Sequence, residues 1–172
     1  MGLLFQPRWT GNRARHTAPP APSDVPFDRG IVCLAALEAV VLGDASRFSE
    51  LFTDDVVFCS PHLSIESLDA MQHELGCPED SLSDVEIVVL ALDEIEDKVI
   101  AEWRLEATFT RPVLFNDRLL VEPTGGAVRL PGATVAEFRD HRIRAFRHYF
   151  DDSELLAGVP GTPSHLRWTF DR

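Results

Sequence analysis

The residues of this chain best suited to chemistry lie on two segments, 99–110 and 142–150. In the first, Glu102, Arg104, Glu106 and Thr108 recur with period two, so on a strand they share one face. Ala101, Trp103, Leu105 and Ala107 share the other. A guanidinium two residues from a carboxylate can hold it ionised and oriented. In the second segment His148 carries the side chain whose charge changes near neutral pH, the usual requirement for moving a proton. Parity alone buries the Trp103 face and leaves Arg104 and Glu106 in solvent. Taken by itself, His148 in a sheet reads as a hydrogen-bonded core or rim residue.

Other chemistry-bearing residues read as structural. Cys59-x-x-His62 and His73-x-x-x-Cys77 form no recognised pair of metal-ligand pairs and fall on different elements, so no metal is expected. Cys59 is expected in the core. Arg139, Arg142, Arg144 and Arg147 crowd one hairpin, diluted by Glu137 and Asp140, as on an ion-paired surface. Arg144 has the parity of His148 and would stand at the mouth of any site there. Tyr149 has the opposite parity. Gly125-Gly126 reads as a hairpin turn, since no helix follows it to make a phosphate loop. There is no nucleophile elbow or dinucleotide fingerprint, and no cofactor is expected.

The elements that must position these residues follow from periodicity and punctuation. Residues 1–26, with the run Ala18-Pro19-Pro20-Ala21-Pro22, read as a disordered or extended arm, with a strap folded over the domain as the alternative. Ile31, Leu34, Leu37 and Val41 give a helix that Gly43 stops. Asp44 caps a short helix bearing Phe48, Leu51 and Phe52. Val56–Cys59 is a strand ended by Ser60-Pro61. Ser64 caps a third helix with Ile65, Leu68, Met71 and Leu75 on one side, closed by Gly76 and Pro78.

From there the chain turns to strands: 85–92, 99–110, then 119–122 and 127–130 flanking a turn, then 133–139 and 142–150 around Asp140-His141. A last helical turn is expected from Asp152 or Ser153 to Leu156, and Gly158–Arg172 reads as an irregular tail, with an edge strand through the alternating Leu166, Trp168 and Phe170 as the alternative. Helices first and hairpins afterwards argue for α+β architecture, with an antiparallel sheet curled around the helices. The domain is placed at 27–157, with the arm 1–26 before it and the tail 158–172 after it.

Composition narrows the partners. The chain has 172 residues, enough for one domain with a real core, and a formal net charge of −12. Residues 1–29 carry +2, so the remainder carries −14. Such a surface repels phosphate backbones and anionic lipid, which argues against nucleic-acid or membrane partners. Three cysteines and no long apolar run fit a cytoplasmic protein.

Two stretches carry a family likeness. They are Leu51-Phe52-Thr53-Asp54-Asp55-Val56-Val57-Phe58 with Ser60-Pro61, and Gly132 to Asp152, GATVAEFRDHRIRAFRHYFDD. With the helical opening, roughly residues 28–157 resemble the SnoaL-like branch of the nuclear-transport-factor-2-like superfamily. Its relatives include polyketide cyclases, limonene epoxide hydrolase and ketosteroid isomerase. The resemblance implies a cone-shaped, strongly bent antiparallel sheet closed by N-terminal helices around one apolar pocket, and often a dimer through the outer sheet face.

The same resemblance suggests a site. Glu102-Trp103-Arg104-Leu105-Glu106 is similar to the hydrolase's Arg-x-Asp strand, and Phe146-Arg147-His148-Tyr149-Phe150-Asp151 to its Trp-Arg-Asp-Tyr-Phe-Asp. It implies that Arg104, Glu106 and His148 converge at a pocket floor, walled by Phe58, Phe146 and Phe150, with the Trp103 face buried in a homodimer. The hydrolase's water is held by Tyr, Asn and Asp, where this chain has Phe58, Ser60 and His148, so epoxide hydrolysis is not carried over. The expected function is acid–base cyclisation or isomerisation of a small apolar oxygenated metabolite. The alternative is a non-catalytic ligand- or partner-binding module of the same fold, and a further alternative is an epoxide hydrolase-like hydrolase.

Overall fold

Asp28 starts the first helix by accepting a hydrogen bond from the Ile31 backbone N–H at 3.0 Å. Helix α1, Arg29–Leu42, ends at Gly43, whose φ of 65° is the left-handed closure that favours glycine. The computed structural model describes residues 27–76, 81–115, 119–123 and 125–151. The expected arm 1–26, the helical turn to Leu156 and the tail 158–172 lie outside the described residues.

A 3-10 turn, Ala45–Arg47, and a single helical turn, α2 (Phe48–Leu51), lead into β1, Phe52–Cys59. Phe52 therefore opens the strand and does not close the helix. β2 is Ser64–Ile65 and α3 is Leu68–Leu75. The cap of α3 is Ser67, which accepts from Ala70 N–H at 3.2 Å. Ser64 pairs with Cys59 across β2 and does not cap a helix. The remaining strands are β3 (Leu82–Ile95), β4 (Lys98–Phe109), β5 (Val113–Phe115), β6 (Leu119–Val121), β7 (Ala127–Arg139) and β8 (Arg142–Phe150).

Six strands form one curved, open sheet in the order β2-β1-β8-β7-β4-β3. Every pairing is antiparallel except β1 with β8, which is parallel. The hairpin expected between 119–122 and 127–130 does not form. β6 pairs with β5 as a separate ribbon, and Ala127 begins the long β7 opposite Thr108 of β4. Gly125 and Gly126 bond to the end of β4 through Phe109, so they hold a crossover and not a hairpin turn.

α1 packs across β3, β4 and β7. The residues it buries are small or compact: Cys33, Ala36, Leu37, Ala39 and Val40. Ile31 lies outside this stripe, 66% exposed, and with Leu34 faces a groove of about 450 Å³ between α1 and β3. Cys59 is half-buried, 3.7 Å from the Ser64 hydroxyl, and not in the core. No helix among the described residues is long and apolar enough to cross a membrane.

The sheet's concave face is built in rows. Val99, Ala136, Phe146 and Phe58 make one row, Ala101, Thr134 and His148 the next, and Trp103, Gly132 and Phe150 a third. One Ala or Gly in each row, on β4 or on β7, leaves room for the aromatic rings of β8 and for Trp103. A Cβ built on Gly132 would stand 2.5 Å from Trp103 Cζ2 and 2.8 Å from Cζ3. Gly132→Ala is therefore expected to displace the indole and destabilise the fold by about 1–3 kcal/mol, read as a lower urea midpoint with unchanged slope.

Candidate functional site

β4 settles its own parity by hydrophobicity. Val99, Ala101, Trp103, Leu105, Ala107 and Phe109 are all buried on the concave side. An indole gains most from leaving water, and the opposite row offers Lys98, Glu102, Arg104 and Glu106 to solvent. The expected convergence of Arg104, Glu106 and His148 therefore does not occur.

Arg104 Nε donates to Glu106 Oε1 at 2.8 Å, and Arg129 Nε lies 3.7 Å from the same oxygen. This cluster is on the convex side, with the Arg104 and Glu106 side chains 38% and 32% exposed. The Trp103 face, expected to be covered by a second copy, is instead buried within the domain, which removes the physical ground for a dimer through that face.

His148 is on the inner side, as expected, and 6% exposed. Its surroundings are aromatic: ring centroids lie 4.6 Å from Phe146, 5.4 Å from Phe58 and 6.2 Å from Trp103. Phe146 and Phe58 thus wall the imidazole as the resemblance implied. Phe150 shares their face, half-buried, and meets the His62 ring at 6.3 Å. Ser60 follows β1, and its backbone closes a tight turn with Leu63, through bonds of 2.8 and 3.4 Å.

The polar partner of His148 is Thr134, directly opposite on β7. Thr134 Oγ1 is 3.0 Å from His148 Nδ1 and accepts from Trp103 Nε1–H at 2.8 Å. Thr134 is completely buried. His148 Nε2 is buried without a hydrogen-bond partner among the described residues. Burial pushes the imidazolium pKa down to about 3, so the ring is neutral at physiological pH.

Thr134 and Gly132 were not singled out from sequence. The pairing of Thr134 with His148 depends on a bulge, for the register shifts by one residue between Glu137 and Phe138. Continued from the Arg139–Arg142 pair without that shift, Thr134 would face Arg147. The same bulge turns Arg144 away from the His148 side. Arg144 and Arg147 both donate to Glu137 on the convex face, at 3.0 and 2.8 Å, and Lys98 lies 3.4 Å from the same carboxylate. The Arg147 bond is the main cause that holds the Glu137 pKa below its usual value. Arg139 pairs with Asp55 and Arg142 lies 3.9 Å from Asp54, so these arginines form an ion-paired outer surface, and Arg144 does not stand at the mouth of the His148 site. Tyr149 is 55% exposed on that outer face.

A curved sheet with a helix across its mouth and an aromatic interior defines a recognisable class. A family model described as the SnoaL-like domain matches residues 34–146. The chain belongs to the SnoaL-like family. Among solved structures it is similar to a putative SnoaL-like polyketide cyclase from Jannaschia sp. CCS1, with 16% identity and a TM-score of 0.60 over 83% of this chain and 100% of that one.

It is also similar to IdmH, a putative polyketide cyclase from Streptomyces antibioticus, with 22% identity and a TM-score of 0.55 over 76% and 97% of the two chains. A limonene-epoxide-hydrolase-like enzyme from M. tuberculosis shares 17% identity and a TM-score of 0.54 over 77% and 92%. These likenesses show the nuclear-transport-factor-2-like fold. No curated protein sequence matches the chain.

Proposed function

We propose that this protein binds a small apolar oxygenated metabolite on the concave side of its sheet and assists its cyclisation or isomerisation, with His148 as the polar group that meets the ligand. The observation that carries this reading is the unpartnered, buried Nε2 of His148 among Phe58, Phe146 and Trp103. A buried polar atom without a partner is costly, and a ligand oxygen would satisfy it. The polyketide cyclases among the structural neighbours point to the same substrate class.

A neutral imidazole can polarise a carbonyl without carrying charge, and an enclosed apolar site strengthens such a bond. Arg104 and Glu106 have no part in this chemistry, because they face away from it. Epoxide hydrolysis has the least support, since Phe58 has no polar side-chain atom with which to hold a water.

The second reading is a binding module without catalysis. It is favoured by one observation: among the described buried residues the only carboxylate is Glu137, which is committed to Arg144 and Arg147 on the outer face. Enolisation needs a base as well as a donor.

Deuterium exchange α to the carbonyl of 2-tetralone in D₂O, followed by proton NMR, separates the two. The catalytic reading expects exchange faster than buffer, with His148 polarising the carbonyl and buffer base taking the α-proton, and a loss of about 10²-fold in His148→Ala. Exchange at the buffer rate, with 2-tetralone bound, would leave only the binding module.

A further inference from the structure

Three side chains on three adjacent strands form a chain of hydrogen bonds that ends at the unpartnered nitrogen. Trp103 stands on β4, Thr134 on β7 and His148 on β8. The indole Nε1–H can only donate, so at 2.8 Å the Thr134 oxygen must accept. The hydroxyl's own proton then needs an acceptor. Thr134 is completely buried, and the acceptor beside it is His148 Nδ1 at 3.0 Å. If Nδ1 carried a proton, the Thr134 oxygen would receive two donors, and its own proton would be left buried without an acceptor among the bonds of the described residues. The network is satisfied only when Nδ1 is bare. A neutral ring with a bare Nδ1 carries its proton on Nε2.

We infer that Trp103 and Thr134 are positioning residues that hold neutral His148 in its Nε2–H tautomer, so that the interior offers its ligand a hydrogen-bond donor matched to a ketone, ester or ether oxygen. This rests on the reading that His148 meets the ligand, and it specifies that reading further. His148 is then not a base toward the ligand, because its lone pair is occupied by Thr134. A ligand group that can only donate, such as an ammonium, would meet a donor and be rejected. A carboxylate would have to shed its water into an aromatic interior with no cation beside it among the described groups facing His148, so a neutral acceptor fits best.

Gly132 belongs to the same device. A side chain there would push the indole from the position that lets Nε1 reach Thr134. The convex charges on the same strands do not intrude. Arg104, Glu106, Glu137 and Arg147 are engaged with one another on the far side of the sheet.

The test is long-range proton–nitrogen NMR of the full chain with ¹⁵N-labelled histidine, which distinguishes the two neutral tautomers by the chemical shifts of their ring nitrogens. Wild type and Thr134→Ser are expected to show a pyridine-type Nδ1 and a pyrrole-type Nε2. Thr134→Val, which keeps the shape and loses the hydroxyl, is expected to give a mixture or the opposite tautomer. A protonated Nδ1 in wild type would overturn the inference, and so would a tautomer indifferent to Thr134→Val. Because this readout needs no ligand, it fails separately from the exchange of 2-tetralone. The acceptor preference is read with ¹³C-carbonyl 2-tetralone. Its carbonyl resonance is expected to move downfield on binding to wild type and less on binding to His148→Phe. An equal shift with both proteins would overturn that part.

Discussion

Acidification from pH 6.5 to 4.5 is expected to remove about 2–3 kcal/mol of folding stability through His148 alone. The ring's pKa is about 3 in the folded protein against 6.5 when free. Between those values the unfolded chain binds a proton that the native state refuses, so stability is full above 6.5 and is lost as pH falls toward 3. Over the whole window the loss is on the order of 4–5 kcal/mol, a large share of a typical domain's stability. The upper half of the window is the informative one. Glu137, whose pKa is lowered chiefly by its bond from Arg147, begins to lose its contribution only as pH falls into the ordinary carboxylate range, at the bottom of that span. Urea unfolding across pH should therefore show a steep fall in wild type and a shallow one in His148→Phe. Parallel curves for the two proteins would contradict the burial of a neutral imidazole.

The second large effect is expected at Phe146. Its side chain is completely buried and joins three strands, opposite Phe58 on β1 and Ala136 on β7. Its ring meets Phe52 edge-on at 5.3 Å and His148 at 4.6 Å. Phe146→Ala removes those contacts and leaves a cavity that two rigid neighbouring strands cannot close. The expected cost is about 3–5 kcal/mol, seen as a lower urea midpoint. Tyr149→Ala, three residues on but exposed, should stay within about 0.5 kcal/mol of wild type. The Phe146 variant should also admit water to His148, so its pH dependence between 6.5 and 4.5 should flatten as the imidazole regains its ordinary titration.

Much of the fold was legible because it is written in local signals. Gly43 closes α1, the Asp140-His141 turn sets the last hairpin, and the alternation of β4 marks a half-buried strand. The family likeness extended this to a curved sheet with helices over it. The parallel pairing of β1 with β8 was not legible, since strands so far apart in sequence leave no turn to read, and the pairing of β5 with β6 was missed because residues 113–115 were not read as a strand.

The site divides along a physical line. His148 and Phe146 share the inner face because period two relates them along β8, whereas the side on which Phe58 of β1 stands was given only by the family likeness. Arg104 and Glu106 were misplaced because a motif similarity was set above the burial of six apolar side chains on the other face of the same strand. Thr134 was missed because its pairing with His148 depends on a bulge at Arg144, and nothing in the residue types around Arg144 announces an extra residue. Gly132 had a signal: a glycine inside a strand pattern marks the close approach of another group, here the Trp103 indole.

The account depends on His148 being an interior neutral ring, independent of the Arg104–Glu106 pair on the other side of the sheet. Proton NMR of the His148 ring between about pH 8 and 5, in wild type and in Glu106→Gln, tests this most directly. The resonance is expected to stay flat across that range in both proteins. A titration centred near neutral pH, or one that moves when Glu106 loses its charge, would contradict it.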